Sequence, residues 1–253
     1  MAAKDEVALV PLEKYEVARF GIAETIALVR ENLGDGVNVG PLDLERVTIP
    51  PQGGTKWQVP DVVGETRDEA TITGVIIAHS PVRLYWAQSI DEGGAGKPPD
   101  CLSENGVTGV PADETAAAEG GYGGLCAKCK MNQWSSTSKT NSRAKACTER
   151  HHVLLLMPDS LLPRLVSLPP SSLGNWRAYM LGLAGQVKRP YYGVLTELGL
   201  NKTTNAQGIA YAEATFRMAG LVPEDVVPRL QDMAAQFRAL TTLGEADFAA
   251  ADA

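Results

Sequence analysis

The stretch Thr71-Ile-Thr-Gly-Val-Ile-Ile-Ala-His79-Ser80-Pro81-Val82-Arg-Leu-Tyr-Trp86 sets the architecture. Its first nine residues are dense in β-branched side chains, which suit the pleated, half-buried surface of a strand. Ser80-Pro81 then reads as a turn, and Val82 to Trp86 as the returning strand of a hairpin. Upstream, Leu42-Asp-Leu-Glu-Arg-Val-Thr-Ile49 and Lys56-Trp-Gln-Val59 read as two short extended pieces around the turn Pro50-Pro-Gln-Gly-Gly54. Downstream, Val153-Leu-Leu-Leu-Met157 and Leu165-Val-Ser-Leu168 read as buried strands. Ser171 or Ser172 caps a helix with Leu173, Trp176, Met180 and Leu183 on one face. Tyr191 to Leu200 and Ile209 to Met218 read as a long hairpin.

Helices flank these strands. Residues 11–33 carry apolar side chains at mainly helical spacing, with Gly21 as a point of interruption, and Pro223 opens an amphipathic helix through Leu240. The order predicts an α+β, mainly β chain built as an OB-fold-like Greek-key barrel, with a helix between its third and fourth strands. A generic α+β sheet fits the same strings of residues. The expected divisions are an N-terminal helical segment over 1–40, the barrel over 41–222 with an insertion at 91–150, and a C-terminal helix and acidic tail over 223–253.

Length and composition narrow the class. The 253 residues, 44% hydrophobic and 21% charged, can bury a real core, which excludes a disulfide miniprotein and bulk disorder. No run of 18 uncharged apolar residues occurs, and Met1-Ala-Ala-Lys-Asp-Glu6 lacks the basic-then-apolar order of a secretory signal. A soluble cytoplasmic protein without a membrane partner is expected.

Residues 91–150 shift to Gly, Ser, Thr, Lys and Asn, and so long a segment without apolar periodicity needs something other than a core to organise it. All four cysteines, Cys101, Cys126, Cys129 and Cys147, fall within it. Cys126-Ala-Lys-Cys129 is a knuckle that offers two sulfurs from one turn, and the two distant cysteines can complete a tetrahedron of soft ligands around Zn2+. His151 or His152 could replace one cysteine, though a histidine opening a strand is more often hydrogen-bonded or on the surface. Four protein ligands leave no open position for water, so the expected zinc site is structural. An iron-sulfur cluster and thioredoxin-like redox use of the knuckle fit less well, because the surroundings are hydrophilic and no βαβ setting is visible.

The net charge of −7 hides an asymmetry. Residues 128–202 hold eleven Lys or Arg against three acids, whereas the remainder holds twelve bases against twenty-seven acids. Lys and Arg in such a block displace condensed counterions from phosphates, although a solvated surface with chance clustering gives the same composition. Aromatic residues interleave it: Trp134 stands among Lys139, Arg143, Lys145 and Arg150, and Tyr191-Tyr192 follows Lys188-Arg189, with Lys202 beyond. On a strand the two tyrosines would face opposite ways, leaving one outside the core. These residues are the candidates for binding single-stranded nucleic acid in a cationic groove with stacked bases. Neither a phosphate-binding lysine loop, nor a nucleophile elbow, nor the zinc-deaminase signature occurs, so no enzyme is expected.

The set Ile49-Pro-Pro-Gln-Gly-Gly-Thr-Lys-Trp57, Cys101 after Pro-Pro-Asp, Cys126-x-x-Cys129-x-x-Asn132-Gln-Trp134, Lys145-Ala-Cys147, Ser167-Leu-Pro-Pro-Ser-Ser-Leu173, Gly208-Ile-Ala-Tyr211 and Ala214-Thr-Phe216 resembles a widespread family of phage and prophage proteins. The likeness covers residues 42–218. Ala127 and Lys130 stand where that family carries a Thr-like residue and a Pro, and the segment 102–125 is longer. The resemblance implies single-stranded DNA binding in phage replication or recombination, an OB-like fold with a zinc element, and residence in the host cytoplasm. It also implies replication proteins as partners of an acidic tail, of which Glu245, Asp247 and Asp252 make a weak version. The alternative expectation is a zinc-stabilised protein-interaction adaptor in replication or transcription.

Overall fold

The computed structural model describes residues 22–34, 43–61, 64–88, 98–137, 144–205 and 208–235. Two compact units divide the chain, one formed by residues up to 79 and from 153 onward, the other by residues 80–152. The architecture is α+β and mainly β.

In the first unit, helix α1 (Ile22–Leu33) precedes short strand β1 (Arg46–Val47) and the hairpin of β2 (Trp57–Pro60) and β3 (Thr66–Glu69). Next comes β4 (Thr71–Tyr85), a single strand of fifteen residues where the sequence predicts a hairpin. Ser80-Pro81 does not turn the chain. Pro81 lies between the stretch of β4 paired with a later strand, 71–75, and the stretch 83–85 that opens the second unit's sheet. Its missing N–H therefore falls outside both of those pairings. One partner of β4 is β8 (Thr148–Leu156), distant in sequence, which begins within the second unit and ends in the first. Gly74 permits the close approach, since a Cβ there would sit 2.5 Å from the Leu156 carbonyl oxygen.

Strand β9 (Arg164–Leu168), helix α3 (Leu173–Gly182) and the hairpin of β10 (Val194–Thr204) and β11 (Ala210–Leu221) complete this unit, followed by helix α4 over 227–235. The sheet order is β1-β9-β8-β4-β10-β11, with β1 parallel to β9 and β10 antiparallel to both neighbours. Apolar side chains from both ends of this order, Val47 at one end and Ala212 and Ala214 at the other, meet in one cluster with Ile72, Leu155, Trp176 and Trp57 of the β2–β3 hairpin. Trp57 is fully buried and its Nε1 donates to the Leu198 carbonyl at 3.1 Å. The turn after β1 packs on β11, where a Cβ on Gly53 would stand 3.1 Å from the Tyr211 amide nitrogen. The sheet therefore curls until its ends share a core, but among the described strands no ladder closes a barrel.

Ser172 stands at the N-cap of α3 without capping it; its hydroxyl accepts the Ala214 amide N–H at 2.9 Å and ties the helix start to β11. The apolar face expected for this helix is present, with Trp176 and Leu183 buried and Leu173 and Met180 packed on the same cluster or its edge.

The second unit contains structure where the sequence predicts loop. Strand β5 (Cys101–Ser103) pairs with the end of β4 and with β6 (Thr108–Pro111), and β6 pairs with β7 (Gly124–Leu125). Between β6 and β7 lies helix α2 (Glu114–Gly120), capped by Asp113 Oδ1 accepting the Ala116 N–H and closed by Gly121 at φ 70°. Strands of three, four and two residues are too short to show a two-residue period. Among the described residues no helix is long and apolar enough to cross a membrane.

Candidate metal centre

Each cysteine reaches one small cavity from a different element. Cys101 opens β5, opposite Tyr85 and Pro111. Cys126 follows β7, its N–H held by the Val107 carbonyl at 2.8 Å. The knuckle is a tight turn in which the Cys129 N–H donates to the carbonyls of Leu125 at 3.1 Å and Cys126 at 3.3 Å. A turn of 3₁₀ helix, Lys130–Asn132, continues from it, and the Met131 carbonyl accepts the Cys147 N–H at 2.8 Å. All four thiols line the cavity, together with Arg83, Tyr85, Tyr122, Gly109 and Asn132.

Gly109 lines the cavity with no side chain to fill it. A Cβ there would lie 2.8 Å from Cys101 Sγ and 3.8 Å from Cys126 Sγ, so any larger residue would occupy the space between those sulfurs. No disulfide joins the cysteines. Among the described residues no three His, Cys, Asp or Glu side chains already stand in a closed metal-holding group. The thiols converge on a common space without having contracted onto a common point. Burial first, and the neighbouring thiols second, push Cys101 up to about 11. Burial also pushes Cys147 up to about 11, against the opposing pull of the Arg83 charge. Both are therefore neutral thiols near pH 7, and a metal binding there would have to displace their protons. The donor set, four soft sulfurs from a knuckle and two flanking elements, fits zinc.

Asn132 organises the surroundings. It is 8% exposed; its Nδ2 donates to the Cys126 carbonyl at 2.8 Å, and its Oδ1 accepts from Arg83 Nη1 at 2.8 Å and Lys145 Nζ at 3.1 Å. Arg83 also donates to the Gly106 carbonyl and pairs with Glu149 at 2.8 Å. Two cations thus stand beside the thiols, one fixed by three acceptors. Sequence reasoning misses Arg83, Asn132 and Gly109 as parts of this site; the one available signal is the placement of Asn132 within the Asn132-Gln-Trp134 motif.

The same element carries Trp134, 74% exposed, with Lys145 Nζ 5.3 Å above its ring centroid. Lys128 and Lys130 are exposed nearby in sequence. Arg150 is partly buried, which pushes its guanidinium below the usual range. Lys139 and Arg143 lie outside the described residues, as do Glu245, Asp247 and Asp252 of the tail.

The remaining candidates belong to the first unit. Lys188 is exposed at the end of the π-helical turn that follows α3, with φ 57°, and Lys202 is exposed on β10. Arg189 pairs with Glu224 at 2.6 Å. Tyr191 and Tyr192 do not alternate on a strand. They occupy a 3₁₀ turn, both partly buried, with Tyr191 edge-on to His79 at 4.9 Å and to Tyr192 at 5.2 Å. Each packs against an apolar cluster, so strand alternation forces neither of them outward. Arg164, a member of the basic block, is buried and bonded to Glu45 and Asp159, both at 2.9 Å. The structure brings the four cysteines, Lys145 and Trp134 together in one unit, while the block's other cations are divided between the two.

No protein-family model, curated protein or solved structure matches this chain.

Proposed function

We propose that this protein binds single-stranded DNA without turning it over, in a phage replication or recombination setting, and that zinc held by Cys101, Cys126, Cys129 and Cys147 staples the second unit. When bound, the metal would supply a structural crosslink; four sulfurs would leave no position for a reacting water. The observation that carries the reading is Trp134, a large aromatic ring in water on a lysine-bearing element built around the thiols. Bases stack on such rings with little regard to sequence, and the neighbouring ammonium groups suit phosphates.

Strand connectivity supports an OB-like reading of the first unit. Strands β4, β8 and β9, then helix α3, then β10 and β11 follow in order, and β4 pairs with both β8 and β10. An acidic tail would recruit replication proteins.

Fluorescence anisotropy with labelled oligo-dT tests the proposal. Affinity should fall as salt rises, with a log–log slope of about −0.7 for each phosphate contacted. Binding that ignores ionic strength contradicts it. A separate observation favours an adaptor instead: Val107, Val110 and Leu125 are 59%, 46% and 52% exposed on β6, β7 and the segment leading into β6. Capture of a protein partner that survives nuclease treatment, with no oligo-dT binding, would select that reading.

A further inference from the structure

We infer that Trp134 is a one-sided platform for a single unpaired nucleobase, and that the cysteine centre holds it in readiness. This deepens the single-stranded DNA reading and rests on it. Lys145 Nζ, 5.3 Å from the ring centroid, covers one face of the indole. A base can stack only on the other. The ammonium polarises the ring from behind and remains within reach of a flanking phosphate, whereas a base inside a duplex has no free face to offer.

The loop that presents Trp134 is tied on both sides to the cysteines. Before it, Asn132 Nδ2 donates to the Cys126 carbonyl, and Gln133 Nε2 donates to the carbonyls of Ala127 and Cys129, both at 3.3 Å. After it, Ser136 Oγ donates to the Met131 carbonyl at 2.9 Å and accepts the Ala146 N–H at 2.9 Å, one residue from Cys147. Ser135 adopts φ 65°, a left-handed conformation that a non-glycine residue keeps only when its surroundings dictate it. These surroundings are the knuckle and the segment carrying Cys147. Asn132 and Lys145 are accordingly positioning residues: Asn132 holds the knuckle and Lys145, and Lys145 holds the ring.

The test is a cycle in the full chain, with Trp134→Ala measured against wild type in the zinc-loaded and the chelated protein, using oligo-dT. In the loaded protein W134A should bind about 5- to 150-fold more weakly, and W134F should recover most of the loss. In the chelated protein wild type and W134A should bind alike. Both variants should retain the wild-type zinc content, because neither changes a ligand. Lys145→Met should weaken binding and raise the acrylamide quenching of the loaded protein by an amount that W134A abolishes. If W134A binds the loaded form as wild type does, the platform is overturned while DNA binding stands. A W134A penalty unchanged by chelation overturns the dependence on the centre. Failure of loaded wild type to bind oligo-dT overturns the function and the platform together.

Discussion

In the first unit Trp57, Ile72, Ile76, Leu155 and Leu198 lose all or nearly all contact with water; in the second the most deeply buried side chains among the described residues are Val82, Ser103, Ala117, Cys126 and Asn132. A fully buried Val, Leu or Ile contributes about 1.5–3 kcal/mol, whereas Ala and Ser contribute little, so of these five second-unit residues only Val82 brings a large apolar contribution. The proposed zinc would thus give one chain two ways of holding a fold, an apolar core and a set of metal-bound thiolates. The contrast is sharpest under chelation. Hydrogen exchange should rise across 101–137 and 144–150 when zinc is removed, while protection in β10 and β11 stays. Structural zinc in small modules contributes on the order of 10–16 kcal/mol, so the loss should be complete. Equal protection of 101–137 with and without metal would mean that the short strands suffice.

The converse experiment truncates the core. Trp57→Ala removes a fully buried indole and leaves the Leu198 carbonyl without its 3.1 Å donor. We expect about 3–5 kcal/mol of destabilisation in chemical denaturation, confined to the first unit. If exchange in the zinc-loaded second unit rises in step, the units are not independent and the comparison fails.

A smaller change addresses the thiols without removing one. Gly109→Ala places a methyl carbon where 2.8 Å separates it from Cys101 Sγ. Zinc affinity, measured by competition with a chromophoric chelator, should fall about 10- to 100-fold. Unchanged affinity would show that the sulfurs close on the metal elsewhere.

How far these regions were readable in advance follows from the same physics. The β-branched run at Thr71, the apolar run at Val153 and the α3 face at Trp176 announce the first unit because burial imposes period and composition. The cysteines announce their cavity because sulfur spacing is itself a signal. What escapes is whatever depends on partners distant in sequence. Ser80-Pro81 reads as a turn because two of the strands that pair with β4, β8 and β10, lie far along the chain. The charge surplus over 128–202 counts Arg164 as a surface cation, yet Glu45, 119 residues away, and Asp159 hold it in the interior. Asn132 gives no sign of its three partners, since two of them, Arg83 and Lys145, come from other segments.

That hidden ion cluster supplies the smallest test of the comparison. Burial pushes the Asp159 carboxyl up, but hydrogen bonds from Arg67 and Arg164, and their charges, outweigh it and hold the group below the usual carboxylate range. A depressed folded value stabilises the native state above the unfolded value of about 3.9, and that stabilisation disappears as pH falls through the folded value. Asp159→Asn should therefore cost the first unit about 1 kcal/mol at pH 7, because the carboxylate is partly exposed and screened. The deficit should shrink below about pH 4 until variant and wild type denature alike. On the zinc reading proposed above, acid acts on the second unit by protonating its thiolates, and that response should be identical in both proteins. A deficit that stays constant from pH 7 to pH 3 would assign the loss to packing around the substituted amide rather than to charge.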